Sequence, residues 1–166
     1  MQYFNFKHFL IFSLAILFSF SSCKNDDDGI PNQDAGKGEV TANVSGSAWE
    51  SSPDGPHSPV GAVGIKNTSL NIIIQAYAED GSYISLNIIS QNALSESTYT
   101  SANGEFQAQY KSDFMDQITY TSLLGQGTVT LTNISDSKVS GTFNFTGLSG
   151  TGDSRTVSNG KFDIDL

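Results

Sequence analysis

The sequence predicts an all-β domain, either an antiparallel β-sandwich or an up-and-down β-barrel of about eight to ten strands. Apolar and polar side chains alternate along most of the chain after Gly38, which is the period of a half-buried strand. Helical spacing is absent apart from one possible helical turn at residues 113–117. Residues 1–38 have a different composition, which predicts a leader and a tether before a single domain at residues 39–166.

The first 22 residues are typical of a secretory signal peptide. Lys7 and His8 belong to a short polar head, and residues 9–20 form the almost uninterrupted apolar run FLIFSLAILFSF. A membrane-spanning helix needs about 20 apolar residues, so this run is too short for one and fits the core of a cleaved signal. The alternative is an ordinary signal peptide with an unrelated cysteine, or an uncleaved anchor.

Cys23, the only cysteine, follows this run after Ser21 and Ser22. The segment Phe20-Ser21-Ser22-Cys23 resembles a bacterial lipobox, with phenylalanine in place of the usual leucine. The resemblance implies cleavage before Cys23 and acylation of its thiol. One acyl chain binds a membrane only marginally, whereas two or three chains hold a protein firmly. A single cysteine also excludes an intrachain disulfide.

An acidic cluster follows directly, Lys24-Asn25-Asp26-Asp27-Asp28. It resembles the export signal of Bacteroidota lipoproteins, which implies a lipid-anchored protein on the outer face of the outer membrane, exposed at the cell surface. The alternative is a solvated charge run. An EF-hand loop does not fit, because Ile30 and Pro31 fall where ligands and a flexible turn are needed. Residues 23–38 hold too few apolar side chains to bury a core and predict a disordered tether.

The clearest strands form two hairpins. Residues 70–77 and 83–89 alternate on either side of a Glu79-Asp80-Gly81 turn, and residues 128–132 and 139–145 do so around residues 136–138. The inward side is predicted to carry Leu70, Ile72, Ile74, Ala76, Ile84, Leu86, Ile88, Val129, Leu131, Val139, Gly141, Phe143 and Phe145.

Weaker alternation predicts strands at residues 40–44, 60–65, 106–110 and 118–123. Residues 161–166 alternate without a break and predict a final strand, with Asp163 and Asp165 pointing outward. Outward charges suit a surface or edge position, and on an edge strand they discourage pairing with other chains. Side by side on one strand, these carboxylates cannot flank a glycosidic bond.

Short motifs mark the domain along its length, namely Gly46-Ser47-Ala48-Trp49, Gly127-Thr128-Val129-Thr130-Leu131, Gly141-Thr142-Phe143-Asn144-Phe145 and Asn159-Gly160-Lys161-Phe162. Their order resembles a family of small, uncharacterised Bacteroidota lipoproteins, over about Val40 to Leu166. The resemblance implies a lipid-anchored β domain and brings no catalytic residue with it.

The residue types argue against catalysis and against a metal site. The domain has one histidine, His57, in a proline-rich loop, and no Gly-x-Ser-x-Gly elbow presents a serine nucleophile, so a hydrolase ranks last. One histidine and an acylated cysteine cannot supply zinc with its ligands, and we predict no metal and no cofactor. Calcium stays open, because Glu79, Asp80 and Asp136 lie in turns that can carry ligands.

Binding is the activity that the sequence favours. A net charge of −9 repels phosphates, so we expect no nucleic acid partner. Amides and tyrosines on the polar side of the first hairpin can hydrogen-bond and stack against sugars, although a solvated sheet face alternates in the same way. The possible ligand-binding face consists of Asn71, Gln75, Tyr77, Tyr83, Ser85 and Asn87.

We therefore expect a noncatalytic binding or adhesion module, anchored to the membrane by lipid, for a glycan, a small molecule or an envelope protein. The alternative is a structural accessory subunit of an outer-membrane complex. A barrel with an open apolar cavity favours carriage of a small molecule, and a filled core favours recognition at the surface.

Overall fold

The computed structural model describes residues 36–57 and 60–166. These residues form ten β-strands and one short 3₁₀ helix, η1, at Ser101–Asn103. No helix among them is long and apolar enough to cross a membrane. The strands are β1 Gly36–Val44, β2 Ser47–Glu50, β3 Ala62–Thr68, β4 Asn71–Tyr77, β5 Tyr83–Ile89, β6 Thr98–Thr100, β7 Phe106–Lys111, β8 Tyr120–Ile134, β9 Lys138–Leu148 and β10 Ser154–Asp165.

Eight of these strands close an antiparallel barrel in the order β1-β3-β4-β5-β7-β8-β9-β10. The ring closes because β10 pairs with β1, with Val40 opposite Phe162. The short strands β2 and β6 add to the outer edges of β1 and β8. The all-β prediction is confirmed, and the up-and-down barrel is the correct one of its two alternatives.

We call the two ends of the barrel the near end and the far end, according to the strand termini and turns that lie there. The near end holds the start of β1, the end of β10, and the β8–β9 turn. The far end holds the β4–β5 turn, the β7–β8 loop and the β9–β10 turn. The assignment follows from the antiparallel pairing of each strand with its neighbour.

The interior is filled by the side chains that the alternation predicts. Ile72, Leu86 and Phe106 are each 0 % exposed, and the inward residues of the second hairpin are buried as well. Leu70 is the exception: it precedes β4 and is 39 % exposed, because it lies in the β3–β4 turn at the near end. An eight-stranded barrel is just wide enough for side chains to fill it.

Aromatic rings in this interior occupy space that glycines leave open. Phe143 lies opposite Gly160, and Phe162 lies opposite Gly141, on β9 and β10. A methyl group added to Gly160 would come within 2.6 Å of the Phe143 ring, and one added to Gly141 within 2.6 Å of the Phe162 ring. Such distances leave no room for even one more carbon, so this part of the barrel is tightly packed.

Two predictions, one about the last strand and one about the start of the domain, need correction. The edge-strand interpretation of residues 161–166 is wrong, because β10 pairs with β9 on one side and with β1 on the other. Asp163 and Asp165 are exposed on the outer surface of an internal strand, and Asp163 is neutralised by Lys138 at 2.8 Å. β1 begins at Gly36, so residues 36–38 of the expected tether belong to the barrel.

The signal peptide, Cys23 and the acidic cluster lie outside the described residues, and these predictions stay predictions. Pro31–Leu166 forms one compact unit. Since the closed sheet and its core lie within that range, this part of the chain meets the requirements for folding alone.

Candidate functional site

The predicted ligand-binding face lies where two neighbouring strands pair. β4 and β5 carry its six residues on their outer side, with Gln75 opposite Ser85 and Tyr77 opposite Tyr83. The amides are bonded to other members of the face: Asn71 Nδ2 donates to Asn87 Oδ1 at 2.6 Å, and Gln75 Nε2 donates to the Tyr83 hydroxyl at 3.1 Å. The structure therefore assembles the face and also uses part of its hydrogen-bonding capacity internally.

The tyrosines of this face are partly covered by the β7–β8 loop. The Phe114 backbone N–H donates to the Gly81 carbonyl at 2.8 Å, which places the Phe114 ring 5.3 Å from Tyr83 and 5.4 Å from Tyr77 between centroids. Tyr83 is consequently only 6 % exposed. Burial raises the pKa of Tyr77, and the neighbouring Tyr83 raises it further. A ligand reaches Tyr77 more easily than Tyr83.

The residues considered for catalysis or metal binding do not form one cluster. His57 Nε2 is 3.4 Å from Asp113 Oδ1 at the far end, and it makes no hydrogen bond to any described residue. Asp80 accepts hydrogen bonds from the backbone and hydroxyl of Ser82 in the β4–β5 turn. Asp136 lies at the opposite, near end. Residues 36–57 and 60–166 contain no group of three or more metal-ligating side chains.

Asp136 and Trp49 have structural partners. Lys66 Nζ donates to Asp136 Oδ1 at 2.8 Å and holds the pKa of that carboxyl below its usual value. Trp49 is 8 % exposed, and its Nε1 donates to the Ser82 hydroxyl at 2.6 Å. The Asp136 carboxylate thus connects the β8–β9 turn to β3 through Lys66, and the Trp49 indole hydrogen-bonds to the β4–β5 turn.

A groove of about 610 Å³ crosses the outer side of β8, β9 and β10 beside η1. Cross-strand pairs form its floor, with Gln126 opposite Thr146 and Thr146 opposite Thr156. Asn144 lies opposite Thr128 on one side and the β10 bulge on the other. The polar residues that line the groove are Thr100, Ser101, Gln126, Thr128, Asn144, Thr146, Thr156, Ser158 and Asn159.

A β-bulge in β10 and a longer register shift in β8 shape this groove, which we call the amide–hydroxyl groove. The register of β10 shifts between Val157 and Gly160, where Asn159 adopts a left-handed conformation at φ 52°. The register of β8 shifts between Thr121 and Gln126, opposite β9. Bulges redirect side chains and bend a strand locally, and they concentrate at functional sites. Asparagine tolerates the left-handed region better than most residues.

The amide–hydroxyl groove differs from the predicted face in its unused hydrogen-bonding groups. Within the described chain, seven of its nine polar lining residues make no side-chain hydrogen bond, whereas Thr100 Oγ1 accepts from the Asn103 N–H and Ser101 Oγ accepts from the Gly127 N–H. The lining also contains no charged residue, although 15 % of the sequence is charged. Neutral donors and acceptors without internal partners are available to a polar, uncharged ligand.

Sequence reasoning did not find this groove. Its lining comes from elements as far apart as η1 and β10, and both register shifts interrupt the alternation that identifies a strand. The useful signal was local: Ser158-Asn159-Gly160 breaks the period of residues 154–165, and an Asn-Gly step inside a strand indicates a bulge.

The family model described as Domain of unknown function (DUF6252) matches residues 60–163. This range runs from just before β3 to near the end of β10, and includes every lining residue of the amide–hydroxyl groove. No curated protein and no solved structure matches the chain.

Proposed function

The chain belongs to the DUF6252 family, and from this premise we propose that it is a noncatalytic binding module that holds a neutral, hydroxyl-rich ligand in the amide–hydroxyl groove. We propose further that acyl chains on Cys23 anchor it to the outer membrane, with the barrel at the cell surface. One observation carries the binding role: the groove has no charged lining residue, and seven of its nine polar lining residues make no internal side-chain hydrogen bond.

The chemistry of the lining selects the ligand class. Amide side chains both donate and accept hydrogen bonds, and hydroxyls do the same, which matches the hydroxyl groups of a glycan. An anionic ligand is disfavoured by the net charge of −9, and a cation meets no carboxylate in the lining. Phe145, the aromatic residue of the lining, is 2 % exposed, so stacking contributes little and the affinity is expected to be weak.

The filled barrel core also supports recognition at the surface over carriage inside. Phe143, Phe145 and Phe162 occupy the interior with 2 %, 2 % and 3 % exposure. A carrier of apolar molecules needs an internal cavity of several hundred Å³. The packing of Phe143 and Phe162 against Gly160 and Gly141 is incompatible with such a cavity at that level of the barrel.

Ligand titration of soluble Pro31–Leu166 with neutral oligosaccharides, followed by NMR chemical shifts, tests the binding role. Loss of one hydrogen bond costs about 0.5–1.5 kcal/mol, so Asn144→Ala should weaken binding about fivefold. Asn87→Ala is the matched control, because Asn87 is an amide on the outer surface of β5 that already bonds to Asn71. Larger weakening by Asn87→Ala would move the site to the β4–β5 face. No binding of any neutral glycan would refute the proposal.

Membrane fractionation tests the anchor separately in cells that produce the full chain. Cys23→Ser should abolish incorporation of a labelled fatty acid and release the protein from membranes, whereas Ser21→Ala should change neither. A Cys23→Ser protein that still carries the fatty acid would show that acylation occurs elsewhere, and the lipobox prediction would be wrong.

Protease treatment of intact cells tests the surface location. Replacing Asp26, Asp27 and Asp28 with alanine should leave acylation intact and protect the protein from external protease. Equal digestion of this variant and the unchanged protein would show that the acidic cluster does not direct export to the surface.

A role as an accessory subunit of an outer-membrane complex is the second candidate, because exposed apolar side chains are concentrated between residues 114 and 124. Met115 is 74 % exposed, Leu123 is 63 % exposed and Leu124 is 58 % exposed. Such clusters often mark contacts with other proteins. A photocrosslinking residue at Leu124 should capture an envelope protein in intact cells, and one at Thr142 on β9 should not. Equal labelling patterns would argue against this role.

A further inference from the structure

A second groove lies beside the amide–hydroxyl groove, on the outer side of β1, β2 and the bulge of β10. It has a volume of about 470 Å³, and we call it the β1–β2 groove. Asn159, which lies in the bulge, lines both grooves, so the two grooves meet at this residue. The residues that line the β1–β2 groove are Thr41, Ala42, Asn43, Ala48, Trp49, Glu50, Asn159 and Lys161.

A row of cross-strand neighbours connects the two grooves at one level of the barrel. Thr128 on β8 pairs with Asn144 on β9, and Asn144 lies opposite the β10 bulge that contains Ser158. Ser158 pairs in turn with Asn43 on β1, and Asn43 pairs with Ala48 on β2. The first three line the amide–hydroxyl groove and the last two line the β1–β2 groove. Neighbouring strands are about 4.8 Å apart, so the four steps of this row span about 19 Å along the barrel surface.

The polar side chains of the β1–β2 groove are also available to a ligand. Within the described chain, no side-chain hydrogen bond or ion pair is made by Thr41, Asn43, Glu50, Asn159 or Lys161. By contrast, Lys66 and Lys138 on the same barrel each contact a carboxylate at 2.8 Å. Thr41 pairs with Glu50 on one side and with Lys161 on the other, so the acid and the base flank it. Their charges cancel, which suits the neutral ligand proposed above.

The two linings favour a carbohydrate chain over a peptide. A peptide in a groove depends on pockets for its apolar side chains or on a free strand edge. Phe145 and Trp49, the aromatic lining residues, are only 2 % and 8 % exposed. At the level of the row, β8, β9, β10 and β1 are each paired on both sides and offer no free edge. Sugar hydroxyls instead need donors and acceptors, which both grooves present.

We propose that the two grooves are subsites of one extended site, which binds a chain of several sugar units across β8, β9, β10, β1 and β2. Asn159 lies between the subsites. This inference rests on the proposed binding of a neutral glycan in the amide–hydroxyl groove, and it adds the length and direction of the ligand.

The geometry of the row explains why a chain of sugar units suits both subsites. The row follows the curved outside of the barrel, so the ligand has to bend between the grooves, as units joined by rotatable linkages can. Neutral hydrogen bonds in either groove alone contribute modestly to affinity. When one ligand carries units for both grooves, binding in the second groove becomes intramolecular, and the combined affinity rises.

Titration of soluble Pro31–Leu166 with a disaccharide and a hexasaccharide of the same sugar tests the extended site. The probes are the glucose, mannose and N-acetylglucosamine oligomers of both lengths, and NMR chemical shifts report affinity and position. In a series that binds, the hexasaccharide should bind at least about tenfold more tightly than the disaccharide. It should also shift the backbone amides of both Asn144 and Asn43, which lie in different grooves.

Substitutions in the β1–β2 groove test which residues hold the longer probe. Asn43→Ala should weaken hexasaccharide binding about fivefold, as expected for one neutral hydrogen bond. Lys161→Gln removes a charged donor and should weaken it at least about tenfold. Asn159→Gly removes the shared amide, keeps the left-handed backbone, and should weaken binding of both lengths. Asn133→Ala is the matched control, because Asn133 is an exposed asparagine on β8 that lines neither groove.

The extended site and the proposed function fail in different ways. Equal affinity for both lengths in every series that binds would overturn the extended site and leave the amide–hydroxyl groove as a site for a short glycan. Hexasaccharide binding that Asn43→Ala and Lys161→Gln do not weaken would have the same meaning, as would shifts confined to β8 and β9. If no probe of either length binds, the proposed function itself is wrong, and the extended site is overturned with it.

Discussion

Replacing Gly160 with alanine tests how tightly the barrel interior is packed. The new methyl group would lie 2.6–2.7 Å from three carbon atoms of the Phe143 ring. Ordinary contacts begin near 3.4 Å, so the ring would have to move by most of an ångström. Phe143 is 2 % exposed and its ring centroid lies 6.3 Å from Phe162 and 6.5 Å from Phe145. The neighbours therefore restrict the movement that would relieve the collision.

We expect this substitution to lower the free energy of unfolding by about 1–3 kcal/mol, the usual cost of overpacking a core. The backbone of Gly160 does not have a positive φ, so the loss would come from the collision and not from conformational strain. Gly150→Ala is the matched control. Nothing lies within 4 Å of the methyl group that it adds, so its stability should be unchanged or slightly higher.

Urea denaturation of Pro31–Leu166 measures both effects, and a second substitution identifies the cause. Phe143→Leu alone should destabilise the barrel by leaving space. In the Gly160→Ala/Phe143→Leu double variant the methyl group fills part of that space, so the two losses should not add. Additive losses, or a Gly160→Ala variant as stable as Gly150→Ala, would refute the tight packing of β9 against β10.

Two further predictions concern polar contacts. Trp49→Phe removes the N–H that donates to the hydroxyl of Ser82, a residue that is 1 % exposed. This substitution should lower the free energy of unfolding by about 1–2 kcal/mol, measured by urea denaturation. An unchanged urea midpoint would show that this hydrogen bond contributes nothing to stability. Lys138, and to a smaller extent Ser140, hold the pKa of Asp163 below its usual value. A lowered pKa adds stability that is present above the unfolded-state value and is lost as pH falls through the folded-state value. The loss of stability on acidification below about pH 4 should therefore be shallower in Lys138→Gln, with only a small difference because Asp163 is exposed; an identical or steeper loss would contradict the assignment.

The parts of the fold that the sequence predicted are those with unbroken alternation. β4, β5 and β9 lie within a few residues of their expected limits, because one face of each is buried and every second side chain must be apolar. The possible helical turn at residues 113–117 is a single hydrogen-bonded turn, in which the Asp116 N–H donates to the Asp113 carbonyl.

The parts that the sequence did not predict depend on bulges and on distant pairing. β8 is one strand of 15 residues, but the register shift after Thr121 divided its alternation into two apparent strands. β2 and β6 contain four and three residues, too few for a period to be visible. The choice between barrel and sandwich depends on whether β1 pairs with β10. These two strands are more than 100 residues apart in sequence, and local alternation carries no information about their pairing.

The candidate site, like the fold, was predictable from the sequence only where local alternation determines it. The six residues of the predicted face were correctly expected to share one side of a hairpin, because that is a consequence of period-two geometry. Their internal hydrogen bonds, and the ring of Phe114 over Tyr83, depend on rotamers and on a loop that the pattern does not specify. Whether the face takes a ligand remains a prediction, which the Asn87→Ala control measures directly.

The pairing of β1 with β10 has a practical consequence for engineering. Gly38 lies opposite Ile164, so the first and last described strands open onto the same end of the barrel, while the glycine-containing turn at residues 149–153 lies at the other end. A circular permutant that joins these neighbouring ends and is cut within that exposed turn would keep every strand pair. A reporter inserted there would sit at the opposite end of the barrel from the start of β1.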